Sequence, residues 1–316
     1  MSVSPCLATV TLNGTLDRVL LVPDLCPGTA QDALEQVVLP SGKGLNVARA
    51  AKALECNVLA TGLLAGSCGQ WIEHLVEQAG LHNHFYMLSS GESRSTTILV
   101  DPERDQTTVV HDLGPTVPSA LWPTIRSHIV SAVSGYTWVG LCGSCPDGLP
   151  ATCYRELCSD MQALGHKVCI DARDEWLEAA IYARPTLVKC NHHEAARVLG
   201  RSIDTPTEAR QAAQTWIDRG IRYVVISLGE HGAVAVEPDG AWQITAAKVA
   251  VLSAIGSGDA MMAGLCLKLI EGESLAHATR YGVALGTANA LVLGSACFEP
   301  ASVPALVAQS VITPLR

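Results

Sequence analysis

The sequence predicts an α/β fold, a mostly parallel central sheet with a small β-sheet lid, and three observations predict it. From about residue 130 onward, short β-branched runs alternate with longer Ala-rich, amphipathic runs, the pattern of βα units on a parallel sheet. Two earlier patches, Arg18 to Val22 and Ser95 to Val110, hold β-rich runs with no helix between their strands. A chain of 316 residues, 48% hydrophobic and 16% charged, can bury one large core but falls short of two full ones.

Taken in order, Ala8-Thr9-Val10-Thr11-Leu12 is a first strand. A Pro/Gly-punctuated stretch runs to Pro40, and a helix begins near Asn46. The patches around Arg18 and Ser95 read as antiparallel strands set apart from the main sheet. Over its carboxyl edge, where open α/β folds bind ligands, they would form a lid. Further strands are predicted at Trp138–Leu141, Val168–Asp171, Thr186–Lys189 and Tyr223–Ser227. Helices near 151–164, 174–182, 193–199 and 206–219 separate them, and Ala260 to Leu269 is a late helix. No Pro/Gly linker or repeat divides the chain. The expectation is one domain over 1–316 whose lid is built from segments near 13–40 and 92–112.

Thirty acidic against 21 basic residues, a net charge of −9, opposes a broad nucleic-acid or anionic-membrane surface, since both require clustered positive charge. A local basic pocket for phosphate remains compatible. Met1-Ser2-Val3-Ser4-Pro5 lacks the basic and apolar runs of a signal peptide, and no segment approaches twenty apolar residues. A cytoplasmic, membrane-free protein is expected. The 12 cysteines are scattered, mostly in apolar runs such as Val168-Cys169-Ile170, and read as buried thiols. Cys142 and Cys145 have CxxC spacing without a companion pair to complete a zinc site, so they read as two small residues in a turn. His192 and His193 read as loop or helix-start residues.

Two glycine-rich turns carry the chemistry. Gly256-Ser257-Gly258-Asp259 stands directly before the late helix. Small residues there let backbone N–H groups converge on an anion that the helix dipole also favours. Asp259, in the first helical turn, would lie where a carboxylate can take the proton of an attacking hydroxyl. By itself the run reads equally as an ordinary Gly-rich loop whose acidic residue complements the dipole. The second turn is Ser41-Gly42-Lys43-Gly44-Leu45-Asn46. Its glycines permit close backbone approach, Asn46 offers donor and acceptor to sugar hydroxyls, and Lys43 could meet a phosphate. Alone it is a helix entry with a solvated lysine. Neither a GxxxxGK[ST] loop nor a GxGxxG fingerprint occurs.

In this order and separation the two turns resemble the signature regions of the ribokinase-like, or PfkB, carbohydrate kinases. Within that family the likeness is greatest to the branch of 1-phosphofructokinase, tagatose-6-phosphate kinase and the minor 6-phosphofructokinase. Four further segments carry it: Thr11-Leu12-Asn13-Gly14-Thr15-Leu16-Asp17-Arg18, Gly143-Ser144-Cys145-Pro146-Asp147-Gly148, Lys189-Cys190-Asn191-His192-His193-Glu194 and Ser227-Leu228-Gly229-Glu230-His231-Gly232. The resemblance implies a ribokinase-like three-layer α/β/α sandwich whose β lid pairs two subunits, and magnesium-dependent transfer of the γ-phosphoryl group of ATP. It implies Asp259 as base, with the Gly256, Ser257 and Gly258 amides stabilising the transferring phosphoryl. Asp17, Gly42, Lys43, Asn46 and Arg94, the last in Glu92-Ser93-Arg94, would hold the sugar or its phosphate. Lys189, Asn191, Ser227, Gly229 and Gly232 would face ATP, and Glu194 would act near magnesium through water. Independently of any family, Asn191 and Glu194 read as a helix N-cap and its N3 glutamate, a capping box.

The chain departs from the branch pattern at Ser41, where glycine is usual, at Gly14, where proline is common, and after Arg94, where an expected Asn is missing. Thr29-Ala30-Gln31-Asp32-Ala33-Leu34 lacks an arginine associated with the substrate phosphate. The implied substrate is fructose 1-phosphate, fructose 6-phosphate or tagatose 6-phosphate. A non-phosphorylated sugar, or a non-catalytic sensor with the same fold, are the alternatives.

Overall fold

The computed structural model describes residues 7–315, so the expectation resting on Met1–Pro5 lies outside the described residues. The chain opens with β1 (Leu7–Thr11), β2 (Thr15–Leu21), β3 (Glu35–Ser41), α1 (Lys43–Ala53), β4 (Val58–Ala65) and α2 (Gly66–Gln78). It continues through β5 (His82–Leu88), β6 (Arg94–Asp101), β7 (Gln106–His111), α3 (Trp122–Ala132) and β8 (Trp138–Cys142). Then come α4 (Cys153–Ala163), β9 (Lys167–Asp171), α5 (Asp174–Ile181), β10 (Leu187–Asn191), α6 (His192–Leu199), α7 (Pro206–Ile217) and β11 (Tyr223–Ser227). It closes with β12 (Ala233–Glu237), β13 (Gly240–Thr245), α8 (Ser257–Ile270), α9 (Leu275–Asn289), α10 (Val303–Gln309) and β14 (Val311–Pro314).

Among the described residues ten strands form one sheet in the order β14-β13-β12-β11-β10-β9-β8-β1-β4-β5. From β5 to β11 every pairing is parallel, and β12, β13 and β14 add antiparallel strands at one edge. Alternate residues feed two cores. In β8, Val139 and Leu141 join one and Trp138 and Cys142 the other, and in β11 Val224 and Ile226 oppose Val225. The first core takes its helical residues from α3 to α7, the second from α1, α2, α8, α9 and α10. Helices therefore cover both faces, giving the three layers expected of a ribokinase-like sandwich. Local rules fix where several helices start. Thr205 and Glu208 close a reciprocal capping box with Pro206 in the first turn of α7, and Asn191 with Glu194 does the same for α6.

The lid is a separate sheet, ordered β3-β2-β6-β7. It is not purely antiparallel as expected: β2 and β6 run parallel, Thr15 beside Arg94 and Leu21 beside Val100. The chain passes through β4, α2 and β5 of the main body between these strands, and a long crossover can join parallel neighbours where a tight turn cannot. Val19, Ile98 and Val100 form the lid's small core, with Ile255 and Leu293 of the main body packed against it. Among the described residues no helix is long and apolar enough to cross a membrane.

Candidate active site

Along the carboxyl edge of the sheet the parallel strands end side by side: Thr11 pairs with Cys142, Cys142 with Asp171, and Asn191 with Ser227. β1 has β4 on one flank and β8 on the other, so the connections diverge there and open a crevice. Under the lid this crevice becomes a cavity of about 340 Å³ whose walls include Asp17, Gly42, Lys43, Asn46, Arg94 and Asp259. Gly256 and Glu194 also line it.

The floor is the turn into α8. Gly256 has φ 82°, and a Cβ there would sit 2.2 Å from the Ala296 nitrogen, so both torsion and space require glycine. Gly258 lies against the Lys189 ammonium, 2.9 Å from where a Cβ would be. Asn289, fully buried near the end of α9, clamps the turn. Its Nδ2 donates to the Ile255 carbonyl at 2.9 Å and to Ser257 Oγ at 3.0 Å, and its Oδ1 accepts from the Cys297 N–H at 3.0 Å. The sequence reading missed Asn289. Its one sequence signal is a lone amide in the last turn of an Ala-rich helix.

Asp259 stands in the first turn of α8 with 7% exposure. Its Oδ2 accepts from Asn46 Nδ2 at 2.7 Å, while Asn46 Oδ1 accepts from Ser41 Oγ at 3.0 Å. Ser41, a departure in the sequence, thus fixes which end of the Asn46 amide faces the carboxylate. Burial pushes the Asp259 carboxyl up to about 6, and nearby Asp171 adds to this. Lys43, Lys189 and the Asn46 hydrogen bond oppose it.

Asp171, at the end of β9, is the charge centre that sequence reading overlooked. It is fully buried, and Lys43 Nζ and Lys189 Nζ reach its two oxygens at 2.6 Å each. Burial alone would raise its carboxyl, but the two ammoniums outweigh that and hold it below the usual range. Lys43 also reaches Glu194 Oε1 at 3.0 Å. Burial lowers the Lys43 ammonium, yet the carboxylates of Asp171, Glu194 and Asp259 keep it above its ordinary value. Expected at the substrate's phosphate, Lys43 is instead held between Asp171 and Glu194. Lys189, expected at ATP, is 3% exposed and braces Gly258 from beneath.

Asp17 faces the cavity from the lid, accepting from Ser295 Oγ at 2.9 Å, and burial raises its carboxyl. Arg49 of α1, not foreseen, donates to the Ser295 carbonyl and so ties that loop to the helix carrying Asn46. Arg94 begins β6. Its segment is pinned by Glu92, whose carboxylate accepts from the Ser67 and Cys68 N–H groups at 3.0 and 2.9 Å, at the start of α2. Arg173 lines the same cavity and was also missed.

Asn191, Ser227, Gly229 and Gly232, expected at the nucleotide, lie at neighbouring strand ends and the turn beyond, outside this cavity. Asn191 Oδ1 accepts from the Glu194 N–H at 2.8 Å and Glu194 Oε2 from the Asn191 N–H at 2.9 Å. Ser227 ends β11, and Gly229 and Gly232 form the turn beyond it. At Gly232, φ is 85° and a Cβ would sit 1.9 Å from the Ile244 carbonyl oxygen. Among the described residues no three His, Cys, Asp or Glu side chains gather to hold a metal. Glu194, expected near magnesium through water, lines the cavity with one carboxylate oxygen on Lys43 and the other on the Asn191 N–H.

The sequence profile described as "pfkB family carbohydrate kinase" matches residues 10–301. Over 276 residues the chain is 30% identical to the 1-phosphofructokinase of Haemophilus influenzae, covering 86% of this chain and 88% of that protein. Phosphofructokinase-2 from Escherichia coli, solved with substrates and products, superposes with a TM-score of 0.87 at 26% identity, covering 96% of this chain and 98% of that one. Ribokinase from Thermotoga maritima shares the fold, with a TM-score of 0.73 at 20% identity over 96% and 99% of the two chains.

Proposed function

This chain belongs to the pfkB family of carbohydrate kinases, and we propose that it moves the γ-phosphoryl group of ATP to a hydroxyl of a ketose phosphate. Fructose 1-phosphate, fructose 6-phosphate and tagatose 6-phosphate are the candidate acceptors. Supporting this most directly is the buried Asp259 carboxyl at the mouth of the Gly256–Gly258 turn, inside a cavity that also holds Arg94. A carboxyl titrating near 6 is a base at neutral pH yet still basic enough to accept a proton.

The step balances on these groups. The acceptor hydroxyl gives its proton to a carboxylate oxygen of Asp259 as its oxygen bonds to the γ-phosphorus. The bond from that phosphorus to the bridging oxygen breaks, and ADP leaves. The Gly256 and Gly258 amides and the start of α8 face the charge on the transferring phosphoryl, whereas the Ser257 N–H, expected beside them, is donated to the Ala254 carbonyl at 3.2 Å. Asp17 and Asn46 orient the sugar, and Arg94 grips its phosphate. Asn191, Ser227, Gly229 and Gly232 form the nucleotide end, with Lys189 supporting the turn from below. Magnesium, when bound, would neutralise phosphate charge, and Glu194 would be the carboxylate placed to order its water.

A coupled ADP-release assay over ketoses and their phosphates tests the reading. Turnover with at least one of the three ketose phosphates, at higher kcat/KM than with its parent sugar, is expected. Turnover confined to non-phosphorylated sugars would transfer the assignment to them. Membership of an enzyme family together with an intact Asp259 sets the sensor alternative aside.

The same reading includes a homodimer through the lid. β7 is one of the lid's two edge strands, all six of its residues are exposed, and Val110 is 55% exposed. An open edge of this kind is prone to pairing. Sedimentation at assay concentration is expected to give the dimer mass, and a fully active monomer would contradict it.

A further inference from the structure

Among the described residues the cavity wall carries two guanidiniums without a close carboxylate partner, and a histidine stands beside them. Arg94 reaches in from the lid at the start of β6, and its Nε is buried without a hydrogen-bond partner. Arg173 reaches in from the opposite layer, in the turn between β9 and α5. Its nearest acidic oxygen is Asp174 Oδ2 at 3.7 Å, whereas Asp174 Oδ1 is taken at 2.7 Å by Arg197. His111 of β7 lines the same wall, with Nδ1 3.0 Å from Thr96 Oγ1.

These groups feel one another. Burial lowers the Arg94 guanidinium, and repulsion from Arg173 lowers it further, against the pull of Asp17. Burial, then Arg94, lowers the His111 imidazolium, and Arg173 adds to this while Asp17 opposes it. Two guanidiniums brought together in a half-buried cavity repel until an anion lies between them, and a phosphate monoester accepts such forks in pairs. The lid hinge offers no substitute, because Thr29-Ala30-Gln31-Asp32-Ala33-Leu34 contains no basic residue.

We propose that Arg173 is the second phosphate-binding arginine of the acceptor site, gripping the substrate's existing phosphate opposite Arg94 and selecting phosphorylated ketoses over their parent sugars. This rests on the ketose-phosphate reading of the site. The core side of the cavity then contributes half of the grip, so phosphate binding draws the lid arginine toward the β9–α5 turn. Arg173 is about half exposed and makes no close ion pair, so its replacement leaves the fold intact.

The test compares wild type, Arg173→Ala and Arg173→Lys by kcat and KM on fructose 1-phosphate, fructose 6-phosphate and tagatose 6-phosphate and on fructose and tagatose. For the accepted ester, Arg173→Ala is expected to raise KM roughly 10- to 100-fold, the scale of one or two charged hydrogen bonds. Its preference for ester over parent ketose should collapse by a similar factor, KM for ATP should move far less, and Arg173→Lys should fall between. If wild type turns over a ketose phosphate and Arg173→Ala keeps its KM within about twofold, the inference fails and the kinase reading stands. If Arg173→Ala weakens ester and parent ketose alike, Arg173 does not read phosphate and the inference fails. A wild type acting only on non-phosphorylated sugars ends both.

Discussion

Asp259→Asn is expected to lower kcat by a factor of roughly a hundred or more, the usual loss on removing a positioned base, while the protein stays folded. The amide keeps an oxygen for the Asn46 Nδ2 donor now bonded at 2.7 Å, so the contact to α1 survives and the missing function is proton acceptance. The pH dependence gives the same residue a second signature. With the carboxyl at about 6, wild-type kcat/KM should be flat near neutrality and fall about tenfold per unit below that value, because the protonated acid cannot accept the substrate's proton. The variant should lose this acid limb. Stability should move oppositely. A carboxyl raised from 3.8 to about 6 on folding stabilises the fold fully below 3.8, and that contribution disappears as pH rises through about 6. Asp259→Asn removes the burden of a buried charge, so its Tm relative to wild type should increase between pH 5 and pH 8. Near-normal turnover in the variant would show that Asp259 is not the base.

Gly256→Ala should be the most disruptive single methyl group in the site. The left-handed torsion costs a non-glycine residue about 1–2 kcal/mol, and the added Cβ would meet the Ala296 nitrogen at 2.2 Å. Backbone on both sides resists, since Asn289 holds Ile255, Ser257 and Cys297 together. The turn must therefore shift, moving amides that have to point at the transferring phosphoryl. We expect kcat to fall by roughly 100-fold or more, the scale of losing preorganised backbone donors, with Tm lowered by several degrees. Gly258→Ala is the milder comparison, because its methyl would meet a single side-chain atom, Lys189 Nζ at 2.9 Å, rather than backbone. Equal losses in both variants, or wild-type turnover in Gly256→Ala, would mean the turn geometry is not what sustains catalysis.

Ser41 shows where motif reading needs side-chain geometry. In the sequence it is a missing glycine, but in the structure its hydroxyl sets the Asn46 amide that hydrogen-bonds Asp259. Lys43 shows the converse: a glycine-flanked lysine reads naturally as a phosphate ligand, yet two carboxylates from β9 and α6 claim it. Val58–Ala65 and the helix Leu275–Asn289 were also illegible as element types. The strand is apolar nearly throughout and lacks the alternation that separates strand from helix, and the helix scatters His277, Thr279, Arg280 and Thr287 among residues buried on most of its faces.

The sequence alone determined what is encoded within a few residues: the βα rhythm, the capping box of Asn191 and Glu194, and the glycine turn that starts α8 and places Asp259 in its first turn. Torsion preference, helix capping and the helix dipole act over that range. Tertiary structure alone decided which charges share the cavity. Asn46 and Asp259 meet across 213 residues, and Lys43 and Asp171 across 128. The parallel pairing of β2 with β6 and the convergence of Arg94 and Arg173 likewise depend on which strands lie side by side. Ion pairs and desolvation follow distance in space, which no local pattern along the chain records.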